Sequence, residues 1–449
     1  MNSSKARYFL EVALVVFVMI LQLIWPLPGT IALRNMCLIG GAISSLLLIF
    51  FFQEKIKSNI PTFLLLLVPV WLLAHYFLIP IDLEKQWYDL SGTWLRVIFG
   101  ILIALSLGRL LVQKSHWSKW IFYPYLLLAL GMFILFCKDA ILQHHWVVLN
   151  FVGLFKAKIS VTYFSIFTCL ITCGLLASSK NNVSSKSNAA YLLIVTLCFV
   201  NCINAQSLIG FLFCASACIV AGCIFLSKSI DFTNKLYWRV PSLLMLVTLC
   251  AILTFYQYDK HYEGKLSHLK SDIVLSYDID KNTTWTRSDN VTGIPDPIDK
   301  TGRTINGSTY ERVSWLHKGT RVLRENPLGT GYSWAAFHRY MELEYPGSTV
   351  YKTHSGWLDF AIGVGLPGLF LTWSAIMLIV RQAFLNLKKT DPDKNSYIVI
   401  FVLPGMSFMW FVAEVCEREF IEHFFFFIAL SASYLYAFQQ QPAKNAALN

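Results

Sequence analysis

The chain has 449 residues, of which 56% are hydrophobic and only 14% charged, and its mean hydropathy is +0.54. Soluble domains carry about 25% charged residues, so a soluble enzyme is excluded. The formal net charge is +11, yet the cations sit in short loops between apolar runs. A nucleic-acid binder needs a basic stripe with interleaved aromatics instead.

Runs of about eighteen or more apolar residues are candidates to cross a bilayer, and they recur along the whole chain. The first, 9–27, follows Lys5 and Arg7. It has no clear small-residue cleavage site and more spans follow at once, so it is read as a membrane helix rather than a signal peptide. Further spans are expected at 31–52, 61–81, 94–111, 120–137, 161–177, 189–204, 208–226, 241–256, 355–380, 397–412 and 420–438. The fold class is therefore an all-α polytopic membrane protein with about twelve transmembrane helices. Residues 1–256 carry the N-terminal helices, 257–354 form one large loop, and 355–449 hold the C-terminal helices and a tail.

Lysine and arginine bias in short loops sets orientation. Lys55 and Lys57, Lys114 and Lys119, Lys180 and Lys186, Lys228, Lys235 and Arg239, then Arg381, Lys388, Lys389 and Lys394 fall on one side. That side is cytoplasmic, so the large loop faces outward. Its length is far beyond ordinary connections, which marks it as functional or disordered. Up to about Gly302 it is polar and reads as a mobile stretch. From Tyr310, apolar Val313, Trp315, Leu316, Val322 and Leu323 alternate with Arg312, Lys318, Arg321 and Arg324 at helical spacing. An amphipathic helix near the membrane surface is expected there, broken at Pro327, with a second short one at about 333–342.

All but Cys416 of the eleven cysteines fall in predicted spans. Pairs such as Cys169 with Cys173 could hold a metal, but with no histidine nearby they read as small packing residues. No metal-ligand spacing stands out elsewhere, and no cofactor is implied.

Chemistry concentrates where the loop enters the apolar run at 355. His354 precedes a helix start, where unpaired N–H groups and the positive dipole end disfavour imidazolium and favour a nearby anion. It can be a neutral base near pH 7, or it can simply cap the helix. Asp359, one turn in, is costly at that depth, and a direct catalytic role is the lesser reading. Ala361, Gly365 and Gly368 read as a small-residue packing stripe, and Pro367 allows a kink. Arg312, Arg321 and Arg324 are the candidate anion binders, because guanidinium grips phosphate bidentately. A basic face against lipid headgroups is an equal reading for the Arg321 group. Glu414, Glu417, Arg418, Glu419, Glu422 and His423 crowd together before the last span, as a polar cavity wall would.

His354-Ser355, nine residues, then Gly365-Leu366-Pro367-Gly368 resembles the O-antigen ligase family. Arg312 with Trp315, and Asn326-Pro327-Leu328-Gly329-Thr330-Gly331, resemble the segment before that histidine. The resemblance implies a metal-independent, inverting glycosyltransferase of the bacterial inner membrane, with a GT-C type fold and a periplasmic active site. Such ligases move polysaccharide from undecaprenyl diphosphate to the lipid A–core acceptor. It implies His354 as base or orienting residue, with Ser355 beside it, and Arg312 as diphosphate ligand. The family's Ser-Arg-Gly-like run corresponds here to Ser207-Leu208-Ile209-Gly210, where Leu208 replaces the arginine. Another cation must then serve, and Arg96, Lys156, Lys158 and Arg418 are placed for it.

O-antigen polymerases and protein O-oligosaccharyltransferases share these features. A transporter of lipid-linked polysaccharide would show two related halves with broken helices, which this sequence lacks. A non-catalytic assembly protein is the remaining alternative.

Overall fold

A computed structural model describes residues 3–51, 59–115, 117–144, 153–155, 157–178, 185–227, 269–288, 293–300, 302–305, 307–389 and 393–439, with isolated positions between 242 and 256. Among these residues every regular element is a helix, with one isolated antiparallel bridge between Ile298 and Thr304. Its first five helices are α1 (Ser3–Ile24), α2 (Ile31–Phe51), α3 (Ile60–Leu78), α4 (Leu83–Asp89) and α5 (Leu95–Gln113). A single π turn, Leu90–Trp94, joins α4 to α5. Then follow α6 (Trp117–Gln143), α7 (Lys158–Ser178), α8 (Ser185–Asn204) and α9 (Leu208–Ser227). The large loop contributes α10 (Leu269–Ser276), α11 (Gly307–Glu325) and α12 (Ala336–Glu344). The chain closes with α13 (Gly356–Leu387), α14 (Lys394–Val412) and α15 (Arg418–Gln439).

Nine of these helical stretches are long and apolar enough to cross a membrane, and α8 and α9 contain shorter apolar segments. This is a multi-pass membrane protein. The expected span at 241–256 falls for the most part outside the described residues.

Close packing explains the bundle's centre. In a bilayer the hydrophobic effect does not draw helices together, so small residues that admit backbone contact do more of the work. A Cβ on Gly108 of α5 would stand 2.6 Å from the Ser433 side chain of α15, and one on Gly174 of α7 would stand 2.7 Å from the Ile398 Cα of α14. Cys169, Cys173 and Cys218 join α7 to α9 with their sulfurs within 4.8 Å of one another. All three are buried at that interface.

Two clusters of polar groups in the bundle are paired. Glu422 is buried, with its Oε1 2.6 Å from Arg96 Nε and its Oε2 3.8 Å from Arg34 Nη1. Trp25 Nε1 donates to the same Oε2 over 3.4 Å. His423 is hydrogen-bonded to the hydroxyls of Tyr125 at 2.8 Å and Tyr163 at 3.1 Å. Ionised groups at such depth survive only when paired in this way.

The described residues of the polar half of the loop are packed together despite their composition. They wrap a second small core around Trp285, Ile279 and Ile305, packed with Tyr310 and Trp315. Trp285 Nε1 donates to the Ile279 carbonyl at 3.1 Å, and Arg303 pairs with both Asp272 and Asp299. A few large apolar groups therefore outweigh many Asp, Thr and Asn residues. The helix expected from Tyr310 is present as α11, and the short one as α12.

The loop is tied into the bundle by backbone bonds at a break in α13. Gly365 has φ 75° and ψ 170°, so the helix is interrupted there. Thr330 and Gly331 donate their N–H groups to the Gly363 carbonyl at 3.1 and 2.9 Å, and Leu366 N–H donates to Pro327 O at 2.8 Å. A Cβ on Gly365 would lie 2.2 Å from Leu328 O. Gly365 is thus required by φ and by loop contact rather than by helix–helix packing, which corrects the small-residue-stripe expectation. Gly368 does face α3, with Trp71 3.7 Å from the position of its Cβ.

Candidate active site

Three chain segments meet at the start of α13. Ser355 is its N-cap and accepts from Leu358 N–H, and Gly356 N–H donates to Ala413 O at 2.9 Å. That last bond fixes the segment after α14 against the residues before α13. Asp359, buried one turn into α13, accepts the Thr353 N–H at 2.8 Å, and Ser355 N–H donates to Thr353 Oγ1 at 3.2 Å. Asp359 therefore frames the loop rather than facing the site.

Between these anchors His354 adopts φ 61°. A left-handed backbone costs a non-glycine residue about 1–2 kcal/mol, and here the bonds on either side hold it. The result is a ring set between two partners. Its Nδ1 lies 3.1 Å from Glu414 Oε2. Its face stacks on Trp315 of α11 at 4.9 Å between centroids and 13° between planes. Beyond Trp315, the Arg287 guanidinium lies 5.2 Å over the indole and is itself held by Glu311. Gly319 lets α11 come this close, since a Cβ there would meet Thr353 Cγ2 at 2.5 Å.

The electrostatics favour a neutral imidazole. Burial lowers the His354 pKa, Glu414 opposes this, and Arg312, Lys352 and Arg287 push it down further, to about 4. The neutral form was expected from the helix start, but burial is the larger cause. With a carboxylate as acceptor, the proton of neutral His354 belongs on Nδ1, which leaves the Nε2 lone pair as the base. Lys352 stands 2.9 Å from Glu414 and 2.5 Å from Glu417. Burial lowers its pKa, but the two glutamates outweigh burial and hold the ammonium charged well above the usual lysine range.

The candidate cations divide. Arg312 is exposed on α11, acts electrostatically on His354 and makes no ion pair among the described residues. Arg321 is bound at both ends to Asp280, at 3.0 and 3.1 Å. Arg324 is exposed near the far end of α11. Nine and twelve residues from Arg312, these two lie roughly 14 and 18 Å further along the axis. Arg96 and Arg418 share a neighbouring cavity of about 340 Å³ with Arg34, Tyr88, Trp334 and Glu417. Lys158 is exposed at the start of α7, and Lys156 lies outside the described residues.

Residues 193–372 match the family model described as O-antigen ligase. This segment belongs to the O-antigen ligase family. It spans α8, α9, the loop and the first half of α13, so His354, Arg312 and the glycine break all fall inside it. O-antigen ligase family members are membrane glycosyltransferase-like enzymes, ligases and polymerases. No curated protein matches the chain.

Glu414 and Lys352 escaped the sequence reading as site members. Glu414 stood out only as one acid in a crowded run, and nothing in the spacing joins it to a histidine sixty residues earlier. Arg34 was hidden inside an apolar run.

Proposed function

We propose that this protein is an O-antigen ligase of the bacterial inner membrane, transferring polysaccharide from undecaprenyl diphosphate to lipid A–core at the periplasmic face. The observation that carries this reading is the His354–Glu414 pair, together with Arg312, which acts electrostatically on the same ring and makes no ion pair among the described residues. Nε2 of His354 takes the proton of an acceptor hydroxyl as that oxygen bonds the anomeric carbon of the donor. The anomeric C–O bond to the diphosphate breaks, and undecaprenyl diphosphate leaves with the electron pair. Attack from the face opposite the leaving group inverts the anomeric centre. Arg312 stabilises the charge gathering on the diphosphate, the kind of preorganised contact that contributes most where water is excluded. Acid–base chemistry by a placed histidine contributes about 10²–10⁴ in rate.

An apolar cavity of about 490 Å³ lies between α7, α9 and α14. It runs from Ile209, next to Leu208, to Val412, two residues before Glu414. Its position and chemistry suit a polyprenyl chain whose diphosphate emerges near Arg312. The lysine and arginine bias of the short loops supports a periplasmic site.

The test is complementation of a ligase-deficient strain, read on the lipopolysaccharide ladder. Wild type restores capped lipopolysaccharide, and His354→Ala and Arg312→Ala fail at normal protein levels. Lengthening of free lipid-linked polymer would identify a polymerase instead, and glycan on proteins an oligosaccharyltransferase. Full function of His354→Ala would overturn the reading altogether.

A further inference from the structure

The cavity beside the catalytic histidine has a composition of its own. Arg34 of α2, Arg96 of α5 and Arg418 of α15 line it, together with Tyr88, Trp334 and Glu417. Arg34 and Arg96 are each only 9% exposed. Their shared counter-ion Glu422 sits behind them and satisfies them incompletely. Nε and Nη1 of Arg34, and Nε of Arg418, are buried with no hydrogen-bond partner among the described residues. A buried charged donor left without an acceptor is costly, and an anion entering this space would supply one.

The cavity also has features that a bare anion would not need. Glu419 lines it with no cation paired to it among the described residues, while Glu417 is held by Lys352. Carboxylates repel an anion but accept hydrogen bonds from hydroxyls. Trp334 is 48% exposed and presents an apolar wall, with the Arg418 guanidinium 5.9 Å over its ring and 4.3 Å over Tyr88. Arginines, hydroxyl acceptors and an aromatic wall in one space match a sugar ring carrying a phosphate or carboxylate. The connection to His354 is short: Glu417 shares Lys352 with Glu414, and Glu414 holds the imidazole.

We infer that this cavity is the acceptor subsite and binds an anionic sugar, its phosphate or carboxylate on Arg34 and Arg418 and its hydroxyls toward Glu419. The inference rests on the glycosyltransfer reading for the word acceptor, whereas the binding chemistry stands on the cavity alone.

The experiment uses the purified full-length protein in phosphatidylcholine nanodiscs, with ligand-observed saturation-transfer NMR. The probes are glucose 6-phosphate, glucose and inorganic phosphate. Glucose 6-phosphate is expected to receive saturation on its ring protons and glucose to receive little. Arg418→Gln is expected to weaken glucose 6-phosphate about tenfold, the worth of one charge-assisted hydrogen bond. Trp334→Ala, on an exposed side chain, is expected to lower ring saturation without unfolding the protein. Binding is read here without any transfer step, so a failed ligase assay and a failed acceptor site read differently. Equal saturation of glucose and glucose 6-phosphate would overturn the inference. So would inorganic phosphate competing as well as the sugar phosphate, which means an adventitious ion only. Loss of the signal in phosphatidylglycerol nanodiscs would assign the cavity to a lipid headgroup and overturn it too.

Discussion

His354 Nδ1 faces Glu414 Oε2 across 3.1 Å, and the carboxylate thereby decides which ring nitrogen is free to accept a proton. In the proposed reaction Glu414 is a positioning residue, and its removal should act through the histidine. Glu414→Ala is expected to lower kcat about tenfold, the loss of one charge-assisted hydrogen bond, with little change in donor KM. Glu414→Gln keeps an acceptor for Nδ1–H and should retain more activity than the alanine variant. In vitro transfer rates at saturating donor check both.

Replacing the proposed base itself is expected to be more severe. His354→Gln is expected to cost about 10²–10⁴ in transfer while leaving expression and chromatographic behaviour intact. A variant that loses activity only in proportion to its abundance would argue for a structural role.

The acidic limb of the pH profile should lie low. Burial and the neighbouring cations hold His354 near a pKa of about 4, against the ordinary 6.5. The neutral base therefore persists as pH falls, and kcat/KM should stay level from pH 7 through 6.5 and fall only toward 4. Arg312→Gln removes a cation, which raises this pKa and moves the limb upward. Glu414→Gln removes an anion and moves it down. The same depression makes folding less favourable in acid, because the unfolded chain binds the proton first. That loss of stability begins below pH 6.5 and is complete near 4.

The break in α13 makes its own prediction. Gly365→Ala would place a methyl 2.2 Å from Leu328 O at φ 75°, a conformation that costs a side chain about 1–3 kcal/mol before the clash is counted. A clear fall in thermal stability by fluorescence-detected size exclusion is expected. Gly222→Ala, with nothing within 4 Å, should show none.

Glu422→Ala would leave Arg34 and Arg96 facing each other in the bundle. Stranding buried charges in this way costs about 3–5 kcal/mol, so detergent-solubilised yield should drop. Glu422→Gln should recover part of it.

Much of this was legible in the residues. The apolar runs marked the bundle, and His354 stood out because a titratable ring sits immediately before one of them. Arg312 was set apart by its distance from the Arg321 group and by the family resemblance. The pairing of Arg321 with Asp280 was not legible, because it depends on the folding of the polar half of the loop. Glu414 was illegible for a similar reason: its place is set by one backbone bond, Gly356 N–H to Ala413 O. Glycine spacing suggested packing at Gly365 because composition does not reveal φ. Cavities built from α2, α5 and α15 draw on residues hundreds of positions apart, and no local pattern announces them.

The paired segments at 326–331 and 362–366 behave as one interlocked cassette. A chimera that exchanges the extramembrane region with that of a relative, for instance to change acceptor preference, has to carry both stretches together. Grafted alone, either half would bring its own glycine register to a partner cut for another, and the histidine downstream would lose its footing.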